Sequence, residues 1–233
     1  MSILRRKGIK MKILSIETSG KVCAAALLEN EKLIKEEIIE DENTHSVKLM
    51  PLVDKLLSES KTKISDIDLF ACDVGPGSFT GIRIGVSTIK AFLDVTNKKA
   101  VGITSLEALA YNLETDKIVC SLIDAKNENV YCGFFKKENG IYTKIDDLIF
   151  DNINNIIELA KNKNKKIIFV GNGSIVYKDM IESKMEKAEV IIEKEKNKLN
   201  ARNIALAAYY KNEKAVDSNG LVPVYLRKSS AER

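Results

Sequence analysis

The chain of 233 residues repeats one order of predicted elements twice, and this repeat limits the folds open to it. Each half reads strand, strand, strand, helix, strand, a Gly-x-Gly-Ser turn and a second helix. The first strand of each half ends in an acidic residue, Glu17 in one half and Asp124 in the other. The turns begin at Gly75 and Gly171. Alternating strands and helices, given twice, predict two similar α/β lobes.

Hydrophobic periodicity places the elements along the chain. Strands are predicted at 12–16, 22–28, 32–39, 69–74, 100–103, 118–123, 130–135, 141–145 and 166–170. Helices are predicted at 44–60, 78–94, 105–112, 152–161, from the Gly171 turn to 184, and 200–211. Pro51 falls inside the first helical pattern, so we expect it to start the main helix or kink it. These elements divide the chain into a basic extension (1–10), a first lobe (11–115) and a second lobe with an extended tail (116–233).

The net charge is confined to the first ten residues. The chain has 37 Lys+Arg and 33 Asp+Glu, a formal charge of +4. Residues 1–10 hold four basic residues and no acidic one, so the remaining 223 residues balance at 33 against 33. A neutral body of this composition is typical of a soluble globular protein and gives no sign of a nucleic-acid surface.

Several classes of function are disfavoured by what the sequence lacks. It has no apolar run of the length that a membrane helix needs and no export signal, so we expect a cytoplasmic protein. Its four cysteines form no CxxC pair and predict buried, reduced thiols. The one histidine, His45, cannot by itself build a His-based zinc site, and no GxSxG elbow accompanies it.

The most distinctive segment is GPGSFTGIRIG at 75–85. Its spacing matches neither a P-loop nor a dinucleotide-binding fingerprint. Gly81 and Gly85 share one helix face, where each costs about 1 kcal/mol relative to alanine, so another backbone is expected to pack closely there. The helix before this segment is also apolar over a wide arc. Both helices are therefore predicted to have a partner protein, with packing inside the chain alone as the alternative.

Segments along nearly the whole chain resemble the TsaB family, also called YeaZ. They are MKILSIETSG (11–20), THSVKLMP (44–51), GPGSFTGIRIG (75–85), DAKNENVYCGFF (124–135) and VPVYLR (222–227). The resemblance implies the duplicated actin-like (sugar kinase/Hsp70/actin) fold. It also implies a role in making threonylcarbamoyladenosine at position 37 of tRNAs, as a non-catalytic subunit that pairs with the catalytic paralogue TsaD, with the ATPase TsaE joining the pair.

This resemblance sets further expectations about ligands and partners. No metal and no catalytic residue is expected, and ATP or ADP is allowed only at the interface of the full complex. Contact with tRNA is expected to be indirect, and a homodimer is allowed when TsaD is absent. The alternative is an autonomous enzyme of the same fold, an ATP-binding phosphotransferase or a peptidase.

Two groups of residues are candidates for function. The predicted partner interface consists of His45, Leu49, Leu52, Leu56, Gly81, Ile82, Arg83, Gly85 and Ile89. The candidate remnant of a nucleotide cleft consists of Glu17, Ser19, Asp124, Gly171 and Gly173. For Glu17 and Asp124, closing a turn is favoured over holding a metal–phosphate group, because neither is followed by a glycine-rich phosphate turn.

Overall fold

The computed structural model describes residues 10–40 and 45–227, which form two compact units. The first unit contains the described residues up to Ser105 together with Asn200–Val224. The second contains Leu106–Leu199 and the described residues from Tyr225. The predicted basic extension, apart from Lys10, lies outside the described residues, as does Thr44 of the first predicted helix.

The chain forms its helices and strands in an alternating order. The strands are β1 (Lys12–Glu17), β2 (Val22–Glu29), β3 (Lys32–Glu40), β4 (Leu69–Asp73), β5 (Lys99–Ile103), β6 (Ile118–Asp124), β7 (Asn129–Glu138), β8 (Ile141–Lys144), β9 (Ile149–Asn152), β10 (Ile167–Val170) and β11 (Ala188–Val190). The α-helices are α1 (His45–Glu59), α2 (Phe79–Thr96), α3 (Ser105–Ala110), α4 (Ile153–Asn162), α5 (Asn172–Val176), α6 (Lys178–Lys184) and α7 (Ala201–Tyr210).

The two units contain sheets of the same topology. The first sheet has the order β3-β2-β1-β4-β5, and the second has the order β11-β10-β6-β7-β8, with β9 paired to β7. In each sheet the first three strands along the chain are antiparallel neighbours. Two strands then join in parallel, β4 and β5 in the first sheet and β10 and β11 in the second, where β9 adds an antiparallel pairing to β7. The predicted duplicated α/β architecture is therefore confirmed. Strands β9 and β11, only four and three residues long, were not predicted.

The structure divides the chain into units at other positions than the predicted ones, both where the second lobe begins and where it ends. The first unit stops at Ser105, not at residue 115, and α7 belongs to it. Helix α7 packs on β1, β2 and β4, and Ser15 Oγ donates a hydrogen bond to Ala201 O at 2.6 Å. Assigning residues 200–211 to the second lobe was wrong, because sequence order does not show which sheet a late helix covers.

Two predicted helices also differ from the structure. Helix α1 runs without interruption from His45 to Glu59 with Pro51 inside it, so the expectation that Pro51 starts the main helix was wrong. The helix predicted from the Gly171 turn to residue 184 is split into α5 and α6 at Tyr177. Both changes leave the order of the remaining elements as predicted.

Each unit buries its own apolar core between a sheet and the helices that cover it. In the first unit, α1 and α2 pack on the sheet, and the core includes Leu14, Ile16, Leu49, Leu52, Leu56, Phe70, Ile82, Val86 and Ile89. In the second unit, α4 and α6 contribute to a core that includes Leu122, Phe134, Ile153, Ile156, Ile157, Phe169 and Ile181.

The repeat offers a matched pair of buried serines for a test of stability. Ser15 and Ser121 hold the fourth position of β1 and β6, and both are fully buried. Ser15 Oγ bonds to Ala201 O, whereas Ser121 Oγ has no hydrogen-bond partner among the described residues. Ser15→Ala should therefore lower the free energy of unfolding by about 1 kcal/mol. Ser121→Ala should leave it unchanged or raise it, because no bond is lost. Urea denaturation of both variants measures the difference, and equal losses would contradict it.

Candidate functional site

The glycine-rich segment joins β4 to the first half of α2. Gly75 has a φ of 100°, which favours glycine, and the Gly75–Pro76 peptide bond is cis. Ser78 caps α2, since its Oγ accepts a hydrogen bond from Gly81 N at 3.2 Å. Ser78 N donates in turn to Ser19 O at 2.8 Å. The start of α2 is thus tied to the turn that follows β1.

Three glycines of this segment line a close contact with Thr18 and Ser19, which we call the glycine seam. A Cβ added at Gly77 would lie 2.5 Å from Ser19 O, and one added at Gly85 would lie 2.6 Å from Thr18 Oγ1. At Gly81 the added Cβ would overlap Thr18 O. Thr18 Oγ1 donates a hydrogen bond to Gly81 O at 2.7 Å. The seam therefore leaves no space for a side chain at these positions.

The seam changes the interpretation of the glycine face. A closely packed backbone was predicted beside Gly81 and Gly85, and one is present, but it belongs to the same chain. The expectation that these glycines face a partner protein is corrected accordingly. Substituting either glycine would break packing within the first unit.

Most of the predicted interface residues lie inside the core of the first unit. Buried side chains or backbone positions are found at His45, Leu49, Leu52, Leu56, Gly81, Ile82, Gly85 and Ile89. Arg83 is the one member of the predicted set that is exposed. These buried residues hold α1 and α2 on the sheet, and a partner docked on the folded unit would not reach them.

A different face of α1 carries exposed apolar side chains. Val47 is 72% exposed and Met50 is 48% exposed, and the neighbouring Pro51 is exposed as well. These three positions follow the helical spacing of one face, out of phase with the buried Leu49 and Leu52. We call Val47, Met50 and Pro51 the outer face of α1. In the sequence, this face was indicated by the wide arc of apolar residues around α1, which is wider than one buried stripe requires.

Glu17 ends β1 and is fully buried. Its Oε1 accepts hydrogen bonds from Ser19 N at 2.7 Å, Ser19 Oγ at 2.8 Å and Gly20 N at 3.0 Å. Asp73, at the end of β4, is 2% exposed and also lies close to Ser19, whose Oγ is 3.0 Å from Asp73 Oδ2. Asp73 was not among the predicted site residues, because it sits at the end of an apolar run that indicates only a strand.

The pKa of both carboxyl groups is raised. Burial raises the pKa of Glu17 well above its ordinary value, and the nearby charge of Asp73 raises it further. Burial likewise raises the pKa of Asp73, while hydrogen bonds from Glu17, Ser105, Gly75 and Ser19 oppose the increase. Two acids so close together in a protein interior favour at least one neutral carboxyl group.

The second unit has a carboxylate at the corresponding strand end, with a different environment. Asp124 Oδ1 accepts hydrogen bonds from Lys126 N at 3.0 Å and from Tyr177 Oη at 3.2 Å, and Lys126 Nζ is 3.0 Å from Oδ2. Burial acts to raise the pKa of Asp124, but the hydrogen bonds and charge of Lys126 outweigh it, and the pKa is lowered. This carboxyl group is ionised and already paired.

Gly171 and Gly173 also pack closely on their own chain. A Cβ at Gly171 would overlap Leu122 O, and one at Gly173 would lie 3.1 Å from Asp124 N. Gly171 N donates to Asn197 Oδ1 at 2.6 Å, and Ser174 Oγ donates to Gly171 O at 2.7 Å. These contacts fix the turn that opens α5 against the end of β6. Glu17 and Ser19 lie together in the first unit, and Asp124, Gly171 and Gly173 lie together in the second.

The described part of the chain contains no group of three or more His, Cys, Asp or Glu side chains placed to hold a metal ion. His45 lies buried at the start of α1, and its Nε2 has no hydrogen-bond partner among residues 10–40 and 45–227. Within the same residues, no helix is both long enough and apolar enough to cross a membrane.

Comparison with known structures agrees with the fold. YeaZ from Pseudomonas aeruginosa aligns with a TM-score of 0.77 at 21% identity, covering 93% of this chain and all (100%) of that one. The ROK hexokinase from Thermus thermophilus aligns with a TM-score of 0.53 at 11% identity, covering 87% of this chain and 100% of the hexokinase. With its duplicated sheets, the chain has the actin-like ATPase fold, as the resemblance predicted.

Comparison with known sequences identifies the family. A family model described as "TsaD: tRNA N6-adenosine threonylcarbamoyltransferase" matches residues 32–233. The tRNA threonylcarbamoyladenosine biosynthesis protein TsaB of Bacillus subtilis is 32% identical over 225 residues, covering 95% of this chain and 96% of the relative. TsaB of Haemophilus influenzae is 26% identical over 226 residues, covering 92% and 93%. The chain belongs to the TsaB family.

The glycine seam predicts a large effect for a small substitution. Gly81→Ala should lower the free energy of unfolding by about 3 kcal/mol, because the new Cβ overlaps backbone that cannot move without shifting the end of β1. Ser87→Ala, on the exposed side of the same helix, should change stability by less than about 0.5 kcal/mol. Urea unfolding followed by circular dichroism compares the two. A tolerated Gly81→Ala would show that the seam is not closely packed.

Proposed function

We propose that this chain is a non-catalytic subunit of the machinery that makes threonylcarbamoyladenosine in tRNA. The observation that supports this most directly is the similarity to B. subtilis TsaB over 95% of the chain, since that relative is named for this biosynthesis. The match to a TsaD family model supports a paralogous partner. The chain pairs with the TsaD paralogue, stabilises it and supports the binding of TsaE.

A non-catalytic role is supported by the state of the carboxyl groups. The metal–phosphate chemistry of an ATP-dependent transferase needs accessible carboxylates. Glu17 and Asp73 are 0% and 2% exposed, and Asp124 is paired with Lys126. With one histidine in the whole sequence, a metal site built on a histidine pair cannot form. In this proposal, any nucleotide binds at an interface of the full complex, and contact with tRNA is indirect.

We place the TsaD-binding surface on the outer face of α1 and the adjacent exposed side of α2. Val47 and Met50 offer exposed apolar area, and Arg83 supplies a cation on the exposed side of α2. An apolar centre with a polar rim is the usual composition of a protein interface. In the absence of TsaD, the same surface would pair two copies of the chain.

The outer face gives a test that does not disturb the core. Val47→Glu and Met50→Glu should each weaken binding to TsaD at least about tenfold, since each places a charge in the buried centre of the interface. Val176→Glu is the matched control, because Val176 is an exposed apolar residue of α5 in the second unit and is 58% exposed. Titration with purified TsaD measures the affinities, and unchanged urea midpoints show that the variants fold. Full binding by both α1 variants would place the interface elsewhere.

Reconstitution tests the role itself. TsaD, TsaE, threonylcarbamoyl-adenylate and tRNA should give modified tRNA only when this chain is added, because the chain completes the complex. The Val47→Glu and Met50→Glu variants should fail to restore modification, and Val176→Glu should restore it. Mass spectrometry of the digested tRNA measures the product. Equal modification with and without the chain would exclude the role of an accessory subunit.

A further inference from the structure

Two acidic side chains meet in the interior of the first unit, under the glycine seam. Strands β1 and β4 are parallel neighbours in which Ile16 pairs with Cys72, so the next residues, Glu17 and Asp73, end side by side. Both are almost completely buried, at 0% and 2% exposure. Two negative charges so close together in a protein interior would be strongly unfavourable.

The hydrogen bonds at Glu17 are unevenly divided between its two oxygens. Oε1 accepts three, from Ser19 N, Ser19 Oγ and Gly20 N. Oε2 is buried, and no N–H or O–H donor of the described residues reaches it. A buried carboxylate oxygen without a donor is uncommon, so this atom needs an explanation.

Asp73 also lacks one hydrogen-bond donor for its two carboxyl oxygens. Asp73 Oδ1 accepts from Gly75 N at 2.6 Å and from Ser105 Oγ at 2.7 Å. Ser19 Oγ is the donor that the described residues place at Asp73 Oδ2, at 3.0 Å, and that hydroxyl is also 2.8 Å from Glu17 Oε1. A serine hydroxyl has a single hydrogen and can serve one of these acceptors at a time.

We propose that Glu17 and Asp73 share one proton, which Glu17 Oε2 donates to Asp73, and that this acid pair locks the end of β1 to the end of β4. The two side chains end neighbouring strands, both contact Ser19 Oγ, and Glu17 Oε2 has no donor among the described residues, so a proton between them supplies the missing hydrogen. The lock extends through Gly75 to the glycine-rich segment and through Ser105 to the start of α3. It therefore supports the seam that holds α2.

The other titratable groups around the pair do not neutralise it. Cys23 on β2 interacts with Glu17, and burial raises the pKa of this thiol to about 11. Cys72 on β4 interacts with both acids, and burial raises its pKa as well. Both thiols are therefore uncharged at neutral pH. Lys48 on α1 acts on Cys23 and is not among the groups that shift either acid. The shared proton therefore limits the net charge of the Glu17–Asp73 pair to a single negative charge.

This arrangement makes the stability of the first unit depend on pH in a defined direction. The pKa of Glu17 is higher in the folded protein than in the unfolded chain, so folding takes up a proton. The contribution of the pair is fully present below the ordinary glutamate pKa of 4.5. It is lost as the pH rises through the raised pKa, because the pair then becomes doubly charged.

Glu17→Gln tests the shared proton directly. The glutamine oxygen must take the place of Oε1, which accepts from two backbone N–H groups, so its amide nitrogen replaces Oε2 and donates to Asp73 at every pH. From about pH 5 to about pH 9, the urea midpoint of the wild type should therefore fall more steeply than that of Glu17→Gln. Glu31→Gln, at an exposed turn residue, is the matched control and should keep the wild-type slope.

A double substitution and a spectrum keep the test decisive if Glu17→Gln folds poorly. Asp73→Asn should also be tolerated. The double variant Glu17→Gln/Asp73→Asn brings two amide donors face to face, so its loss of stability should exceed the sum of the losses of the two single variants. Infrared spectra of the wild type at neutral pH should contain the carbonyl band of a buried protonated carboxyl group. Absence of that band, or a Glu17→Gln slope equal to that of the wild type, would overturn the proposal.

Discussion

The first unit depends on how closely the end of β1 approaches the start of α2. Thr18 O occupies the place where any side chain at residue 81 would begin, and Thr18 Oγ1 bonds to the carbonyl of that same residue. A glycine inside a helix costs about 1 kcal/mol relative to alanine. The close packing and the hydrogen bonds of the seam offset this cost. They also fix the rotation of α2 about its axis.

That rotation decides which surface the helices present. The glycines of α2 pack on Thr18, and Ile82, Val86 and Ile89 of the same helix lie in the core. Arg83 is therefore on the exposed side of α2. Helix α1 buries Leu49, Leu52 and Leu56 on the same sheet, while Val47 and Met50 of its outer face are exposed. Gly81 and Gly85 of the signature motif are therefore used for packing within the first unit, and the exposed apolar side chains belong to a different face.

The sequence predicts the features that local pattern determines, and it fails where distant parts of the chain meet. The order of strands and helices and the need for a close backbone at Gly81 follow from periodicity and glycine spacing. Periodicity indicates which residues share a face, but it does not identify what covers that face, so Thr18 could not be distinguished from a partner. The packing of α7 on β1 joins residues 186 positions apart, as at Ser15 and Ala201, and no local signal encodes it.

The repeated fold places a carboxyl group at the same strand end in both units, yet the two are stabilised in opposite ways. Glu17 is buried beside a second acid, so a proton has to limit the charge. Asp124 lies at a turn where Lys126 can reach it, so a cation balances the charge and the pKa falls. An enzyme that handles a metal–phosphate group needs a carboxylate that is both ionised and open. In the proposed non-catalytic role neither strand end has to provide one, since the acid pair of the first unit is buried and Asp124 of the second unit is already paired with Lys126.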